Sequence, residues 1–379
     1  MQFDYTQEQS MIRDLIRDFA VHEVAPGAIE RDRTGAFPRD IFDQLAKLEL
    51  MGLPFPEAYG GGGADTVSFA IVVEELSRVC ASTGITYSAH ISLGGAPLHL
   101  FGTEAQKISY LAPLCRGEYL GAFGLTEPEA GSDAGGTRTT AVLDGEEWVI
   151  TGSKCFITNA SYAHNLVLTA VTDRSKGTNG ISAFIVPTAA PGFSVLDHYE
   201  KMGLHASNTT ELVMDQVRVP QENLLGTEGQ GYKQFLAVLD GGRIGIGAMA
   251  VGIAQGAYEK SLRYAKQRKQ FGRALSAFQA IQFKLADMAM NIEVARTMVY
   301  KAAWLKDQGR SFKKEAAMAK LFASEMCVRV CDQAVQIHGG YGYMREYEVE
   351  RFMRDAKLLE IGEGTSEVQR MVIASQILG

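Results

Sequence analysis

Ala141-Val-Leu-Asp-Gly-Glu-Glu-Trp-Val-Ile-Thr151 carries a turn at its centre, with short apolar runs, Ala141 to Leu143 and Trp148 to Thr151, flanking Asp144-Gly145. An Asp-Gly pair accepts the positive φ angles of a tight hairpin turn, so the stretch reads as two antiparallel strands. Further β-rich runs follow at 166–171, 181–186 and 212–219, and no helical pattern alternates with them. Strands without intervening helices pair with their sequence neighbours, which makes residues 121–230 a middle antiparallel β domain.

Outward from this block the apolar period changes. Met11, Ile12, Leu15, Ile16 and Phe19 recur at helical spacing, as do Ile41, Phe42, Leu45, Ala46 and Leu48, and Val67 to Val79 resumes a helix after Gly60-Gly-Gly-Gly63. That glycine run has no lysine or P-loop pattern and reads as a loop. Beyond the block, long amphipathic helices are expected at roughly 233–268, 277–306 and 313–337, with a last one at the terminus. The fold class is therefore α+β multidomain: an N-terminal all-α domain (1–120), the middle antiparallel β domain (121–230) and a C-terminal four-helix-bundle domain (231–379).

Bulk properties narrow the partners. An apolar fraction of 46% and a charged fraction of 21% are those of a globular protein, and 37 basic against 44 acidic residues leave a net charge of -7 with no basic run. No nucleic acid partner is expected. The opening Met1 to Met11 lacks the basic leader and apolar core of a signal peptide, and the most apolar stretch, Ile244 to Ala254, is shorter than a membrane span, so a cytoplasmic protein with no membrane insertion is expected. Five scattered cysteines, Cys80, Cys115, Cys155, Cys327 and Cys331, fit a reducing compartment. Cys327 and Cys331 lie one helical turn apart, but without a second ligand pair they read as core thiols.

The stretch with the most chemistry is Leu358-Leu-Glu-Ile-Gly-Glu-Gly-Thr-Ser-Glu-Val-Gln-Arg370. It places Glu363 between two glycines at the mouth of a helix, where Ser366 and Gln369 have capping-box spacing and Val368, Met371, Val372 and Ile373 form an apolar face. A carboxylate so presented is a general-base candidate, or else an exposed acid in a polar turn. The helix dipole alone would lower its pKa, so an apolar pocket has to oppose it. Phe123-Gly-Leu-Thr-Glu-Pro-Glu-Ala-Gly-Ser-Asp133 and Lys154-Cys-Phe-Ile-Thr-Asn159 could bond and stack on a planar heterocycle, or be ordinary turns. No Gly-x-Gly-x-x-Gly after a strand, Walker sequence, Gly-x-Ser-x-Gly or His-Glu-x-x-His is present, which disfavours nicotinamide, P-loop, serine-hydrolase and metal chemistry.

Taken in order, Thr126-Glu-Pro-Glu-Ala-Gly-Ser-Asp133, Phe156-Ile-Thr158, Asp240-Gly-Gly-Arg243, Arg268-Lys-Gln-Phe-Gly272, Gln336-Ile-His-Gly-Gly340 and Glu363-Gly-Thr-Ser-Glu367 resemble the acyl-CoA dehydrogenase family of flavoenzymes from end to end. The resemblance implies an FAD enzyme in which Glu363 takes the α proton of a saturated acyl-CoA thioester while the β hydrogen leaves as hydride. It implies that Phe123, Leu125, Thr126, Phe156, Ile157 and Thr158 line the flavin ring, and that Ser132 meets the CoA portion. Arg268, Phe271, Gln279, Gln336, Ile337, Gly339 and Gly340 match contacts to a neighbouring subunit's FAD, with Thr365 and Glu367 closing over the same cofactor.

By the same resemblance Asp240, Gly242, Arg243 and Gly364 border the substrate, the assembly is a homotetramer, and electron transfer flavoprotein is the electron acceptor. Isovaleryl-type and long-chain members place their base where this chain has Gly242, so the terminal-loop base is preferred. Gly362 stands where many straight-chain members carry tyrosine, and the segment after Asp240 looks most like short-chain members. A short straight or branched acyl group is expected. An oxygen-using relative and a non-catalytic acyl-CoA-binding protein of the same fold are the competing readings, and His338 is left between a packed imidazole and a cofactor contact.

Overall fold

The computed structural model describes residues 4–379. The N-terminal part is helical: α1 (Gln7–Phe19), α2 (Ala28–Thr34), α3 (Arg39–Lys47), α4 (Thr66–Val79), α5 (Ala81–Ala89), α6 (Ala96–Phe101), α7 (Glu104–Gln106) and α8 (Ala112–Cys115). Helix α1 starts where Thr6 and Gln9 cap one another, the Thr6 hydroxyl accepting from the Gln9 N–H at 3.1 Å and the Gln9 side chain from the Thr6 N–H at 3.0 Å. Of the predicted stripe, Ile16 and Phe19 are buried while Met11 and Leu15 stay exposed, so this outer helix rests on one narrow edge.

The strands β1 (Phe123–Gly124), β2 (Thr140–Asp144), β3 (Glu147–Thr158), β4 (Asn165–Val171), β5 (Ile181–Pro187), β6 (Phe193–His198), β7 (Thr209–Pro220) and β8 (Leu224–Leu225) form one sheet in the order β6-β7-β3-β2-β4-β5-β8, with β1 added on β4. Asp144 pairs with Glu147 across the expected hairpin. Two pairings correct the purely antiparallel expectation: β1 runs parallel to β4, and β2 meets β4 in parallel at Thr140 and Val171. Both involve strands joined through long connections, which free the direction of pairing from hairpin geometry. Strand β6 carries no apolar run to betray it, since most of its residues are exposed on an edge.

The chain then returns to helices: α9 (Gly231–Gln267), a hairpin of β9 (Lys269–Gln270) and β10 (Arg273–Ala274), α10 (Gln279–Asp307), α11 (Lys313–His338), α12 (Val349–Ala356) and α13 (Ser366–Leu378). Helix α12 was not anticipated; at eight residues it is too short for apolar periodicity to declare itself. With 37 residues α9 is about 55 Å long and is the axis on which α4, α10 and α11 pack. By length and composition it could cross a membrane, but 72% of its most apolar window is buried inside the protein. Close approach explains its glycines: a β-carbon on Gly252 or Gly256 would run into the carbonyl oxygens of Glu74 and Arg78 on α4. All five cysteines are free and buried, and among the described residues no group of His, Cys, Asp and Glu could hold a metal ion.

Candidate active site around Glu363

Glu363 has φ +52° and Gly364 φ +94°, whereas Gly362 has an ordinary backbone. The expectation that both flanking glycines supply the unusual conformation is thus corrected: the acid itself takes the left-handed turn. For a residue with a β-carbon that costs on the order of 1–2 kcal/mol, a strain the surrounding structure has to hold. The helix that follows is capped by Thr365, whose hydroxyl accepts from the Val368 N–H at 3.2 Å, not by Ser366 as its spacing suggested. Gln369 turns back instead, donating to the carbonyls of Gly364 at 2.9 Å and Glu363 at 3.3 Å. Of the expected apolar face, Val368, Val372 and Ile373 are half-buried and Met371 is exposed.

The turn aims the carboxylate inward. Its Oε2 is sealed from solvent without a hydrogen-bond partner among the described residues and lies against Gly242 on α9, where a β-carbon would overlap Oε2 and stand 3.1 Å from Cδ. The Leu93 side chain borders the same spot, 3.5 Å from that position. Burial pushes the acid up to about 7 from an ordinary 4.5, against the opposing charges of Lys320 and Arg243. Desolvation by burial thus opposes the helix dipole.

Lys320 is fully buried on α11 and donates to the Gly364 carbonyl at 2.7 Å. Arg243 is buried beside Asp240 and paired with it, and burial holds Asp240 above its usual value. Gly242, Arg243 and Gly364 are thus gathered at Glu363, and Asp240 joins them through its pair with Arg243. Lys320 was not singled out beforehand, although a lone lysine within Ala316-Ala-Met-Ala-Lys-Leu-Phe-Ala323 is a legible signal.

A second group forms where β1 and its continuation meet β3. The Cys155 N–H donates to the Thr126 carbonyl at 2.9 Å, and the buried Lys154 ammonium reaches the Leu125 carbonyl at 3.3 Å, Thr169 Oγ1 at 3.2 Å and Glu127 Oε1 at 2.7 Å. Glu127 also accepts from the N–H groups of Arg138 and Thr139, at 2.7 and 3.2 Å. The Lys154 to Glu127 pair, also unforeseen, locks the two quoted turns together. A register shift between Lys154 and Ile157, with Phe156 at φ +59°, turns the Phe156 ring outward, 65% exposed, beside the half-buried Thr158. Leu125 and Thr126 are half-buried on the same side. The side chains of Phe123 and Ile157 depart from expectation: Phe123 stacks on Phe235 at 4.0 Å, and Ile157 belongs to the β core. Ser132 is exposed in the following loop.

The remaining candidates gather at the far end of α9. Arg268 caps it with its guanidinium over Tyr341 at 5.4 Å, next to an open cleft of about 260 Å³ formed with Tyr264, Gln267 and Tyr347. Phe271, 92% exposed at φ +51°, and Gln279 lie on the hairpin and the helix start that follow. Gln336, Gly339 and Gly340 are exposed at the end of α11, but Ile337 faces the core. His338 is a packed imidazole, stacked on Tyr264 at 4.2 Å with Nδ1 donating to the Ala334 carbonyl at 2.8 Å. None of the hydrogen bonds or aromatic contacts among the described residues joins this end to the Phe156 edge. Thr365 and Glu367 begin α13 beside Glu363, Glu367 pointing to solvent.

Family models match the chain in three consecutive pieces: acyl-CoA dehydrogenase N-terminal domain over residues 6–118, middle domain over 122–217 and C-terminal domain over 229–378. A probable acyl-CoA dehydrogenase of Bacillus subtilis is 61% identical over the full length of both chains. The structure of butyryl-CoA dehydrogenase from Megasphaera elsdenii superposes with a TM-score of 0.98 at 48% identity, covering 100% of both chains. A caffeyl-CoA reductase-Etf complex subunit of Acetobacterium woodii is 46% identical over 99% of each chain.

Proposed function

This chain belongs to the acyl-CoA dehydrogenase family, and from that premise we propose that it removes two hydrogens from adjacent carbons of a short-chain acyl-CoA, Glu363 taking the α proton. The observation that carries the reading is the carboxylate lodged on Gly242 with its Oε2 sealed from solvent and its pKa pushed up to about 7. A base poised near neutral pH combines an ionised form with real proton affinity. The Glu363 backbone N–H makes no hydrogen bond among the described residues and is free to stabilise negative charge on the thioester oxygen. A group that takes the α proton from a saturated thioester returns it to an unsaturated one, so Glu363 serves either direction.

FAD supplies hydride acceptance when bound. The residues fit it: the outward Phe156 ring offers a stacking face, and Thr126 and Thr158 stand half-buried beside it. Leu125 completes that edge, while Phe123 and Ile157 would contribute backbone. Arg268, Phe271, Gln279, Gln336, Gly339 and Gly340 would hold the FAD of a second copy, closed by Thr365 and Glu367, and Ser132 would meet the CoA portion. The apolar residues left exposed on the C-terminal helices and hairpin, Phe271, Phe283, Met290, Met371 and Leu378 among them, support the association of copies such sharing requires, in this reading a homotetramer. Electron transfer flavoprotein is the expected electron partner.

Packing along α9 supports a short acyl group. One turn beyond Gly242, about 4.5 Å away, the helix face at Gly245 is closed by Ser88 and by Phe69, 3.3 Å from a β-carbon position. Space over Gly242 therefore ends quickly. At Gly362 a β-carbon would meet only Leu358 atoms at 3.6 Å or more, so branching near the base is tolerated.

The test is anaerobic titration of wild-type protein and Glu363→Gln with a panel of saturated and unsaturated acyl-CoA thioesters, following flavin bleaching and turnover. Full flavin content with turnover nearly abolished in the variant is expected. Substantial residual turnover in Glu363→Gln overturns the assignment.

A further inference from the structure

We propose that Lys320 is a positioning residue for Glu363, its ammonium gripping the Gly364 carbonyl so that the turn at Glu363 keeps the carboxylate against α9; this rests on Glu363 being the base. The geometry has three parts. The Lys320 side chain is fully buried, and its one hydrogen bond among the described residues, 2.7 Å long, ends on the residue next to the acid. The acid holds a left-handed backbone, φ +52°, that would relax if released. Gln369 grips the same carbonyl from α13 at 2.9 Å, so two helices hold the turn from two directions.

A buried ammonium with a single carbonyl acceptor is an expensive structural device, since an apolar side chain of similar length would fill the space without desolvating a charge. The charge makes sense where the acid is. Lys320 forms no ion pair with Glu363 but is the larger of the two positive influences on it. The groups facing Glu363 and Lys320 are Arg243 with Asp240 from α9, and Glu360 and Glu367 from the segment of the acid itself, while Leu93 contributes only apolar surface. Burial lowers Lys320 to about 8, so it stays mostly protonated at neutral pH.

Two variants separate grip from charge. Lys320→Met removes both; Lys320→Gln keeps a donor and removes the charge. Each is purified as the flavin-loaded enzyme, and kcat and KM are measured from pH 6 to 9. Expected for Lys320→Met are unchanged flavin content, kcat lowered about tenfold or more with KM changed less, and an apparent pKa raised by about one unit. Lys320→Gln should share the pKa shift while retaining more of kcat. A residue of merely structural importance would lose activity equally at every pH. A wild-type pH profile and kcat in a flavin-replete variant of either kind overturns the proposal. If that occurs while Glu363→Gln is inactive, the base reading stands and Lys320 alone is excluded; an active Glu363→Gln removes both.

Discussion

Replacing Glu363 by glutamine should stabilise this protein at the pH where it works while silencing it. The folded chain holds the Glu363 proton more tightly than the unfolded chain, because burial without a partner for Oε2 raises the acid from 4.5 to about 7. Between those values the folded state binds the extra proton, so stability falls as pH rises through the window and the loss is complete above pH 7. The difference between 4.5 and about 7 corresponds to about 3 kcal/mol at pH 8. Glutamine cannot ionise and escapes this cost, while the left-handed backbone is common to both proteins and cancels. The assay is the unfolding midpoint of wild type and Glu363→Gln, matched for flavin content, at pH 5, 6, 7 and 8. The advantage of the variant should be small at pH 5 and grow to about 3 kcal/mol by pH 8. A difference that does not change with pH would refute the reasoning, since it would mean the carboxylate is not desolvated in the fold.

Gly242→Ala should lower kcat by about a hundredfold with flavin content retained, because the added carbon overlaps Glu363 Oε2 and expels the carboxylate; turnover and visible absorbance measured together decide it. Lys154→Met strands the buried Glu127 carboxylate and should cost about 3–5 kcal/mol with loosened flavin, read by denaturant unfolding and FAD retention on gel filtration. His90 is fully buried, accepting at Nδ1 from the Gly121 N–H at 2.9 Å and bonding the Met51 carbonyl through Nε2 at 2.9 Å. Burial lowers it from 6.5 to about 4, so its contribution is complete above pH 6.5 and is lost as pH falls towards 4, a decline of up to about 3 kcal/mol. His90→Gln should flatten that acid limb in a pH series of unfolding midpoints.

Local pattern carried the architecture far. The Asp144-Gly145 hairpin, the β runs that follow it and the long helices α9, α10 and α11 are legible because period and turn chemistry are properties of neighbouring residues. What local pattern lacks is direction and partner: it left the parallel placement of β1 and β2 on β4 undecided and passed over the exposed edge strand β6.

The same division runs through the site. The family resemblance marked Glu363, Gly242 and the Thr126 and Phe156 turns as belonging together, because each motif that carries it is a short string legible in the chain. Only the tertiary structure decided that Glu363 itself takes the strained turn, that its Oε2 is sealed from solvent, that Lys320 lies behind it, and that Phe123, Ile157 and Ile337 face the core. The reason is physical: desolvation, and the grip of a residue 44 positions away on the Gly364 carbonyl, depend on what packs around an atom, and that is a property of three-dimensional neighbours.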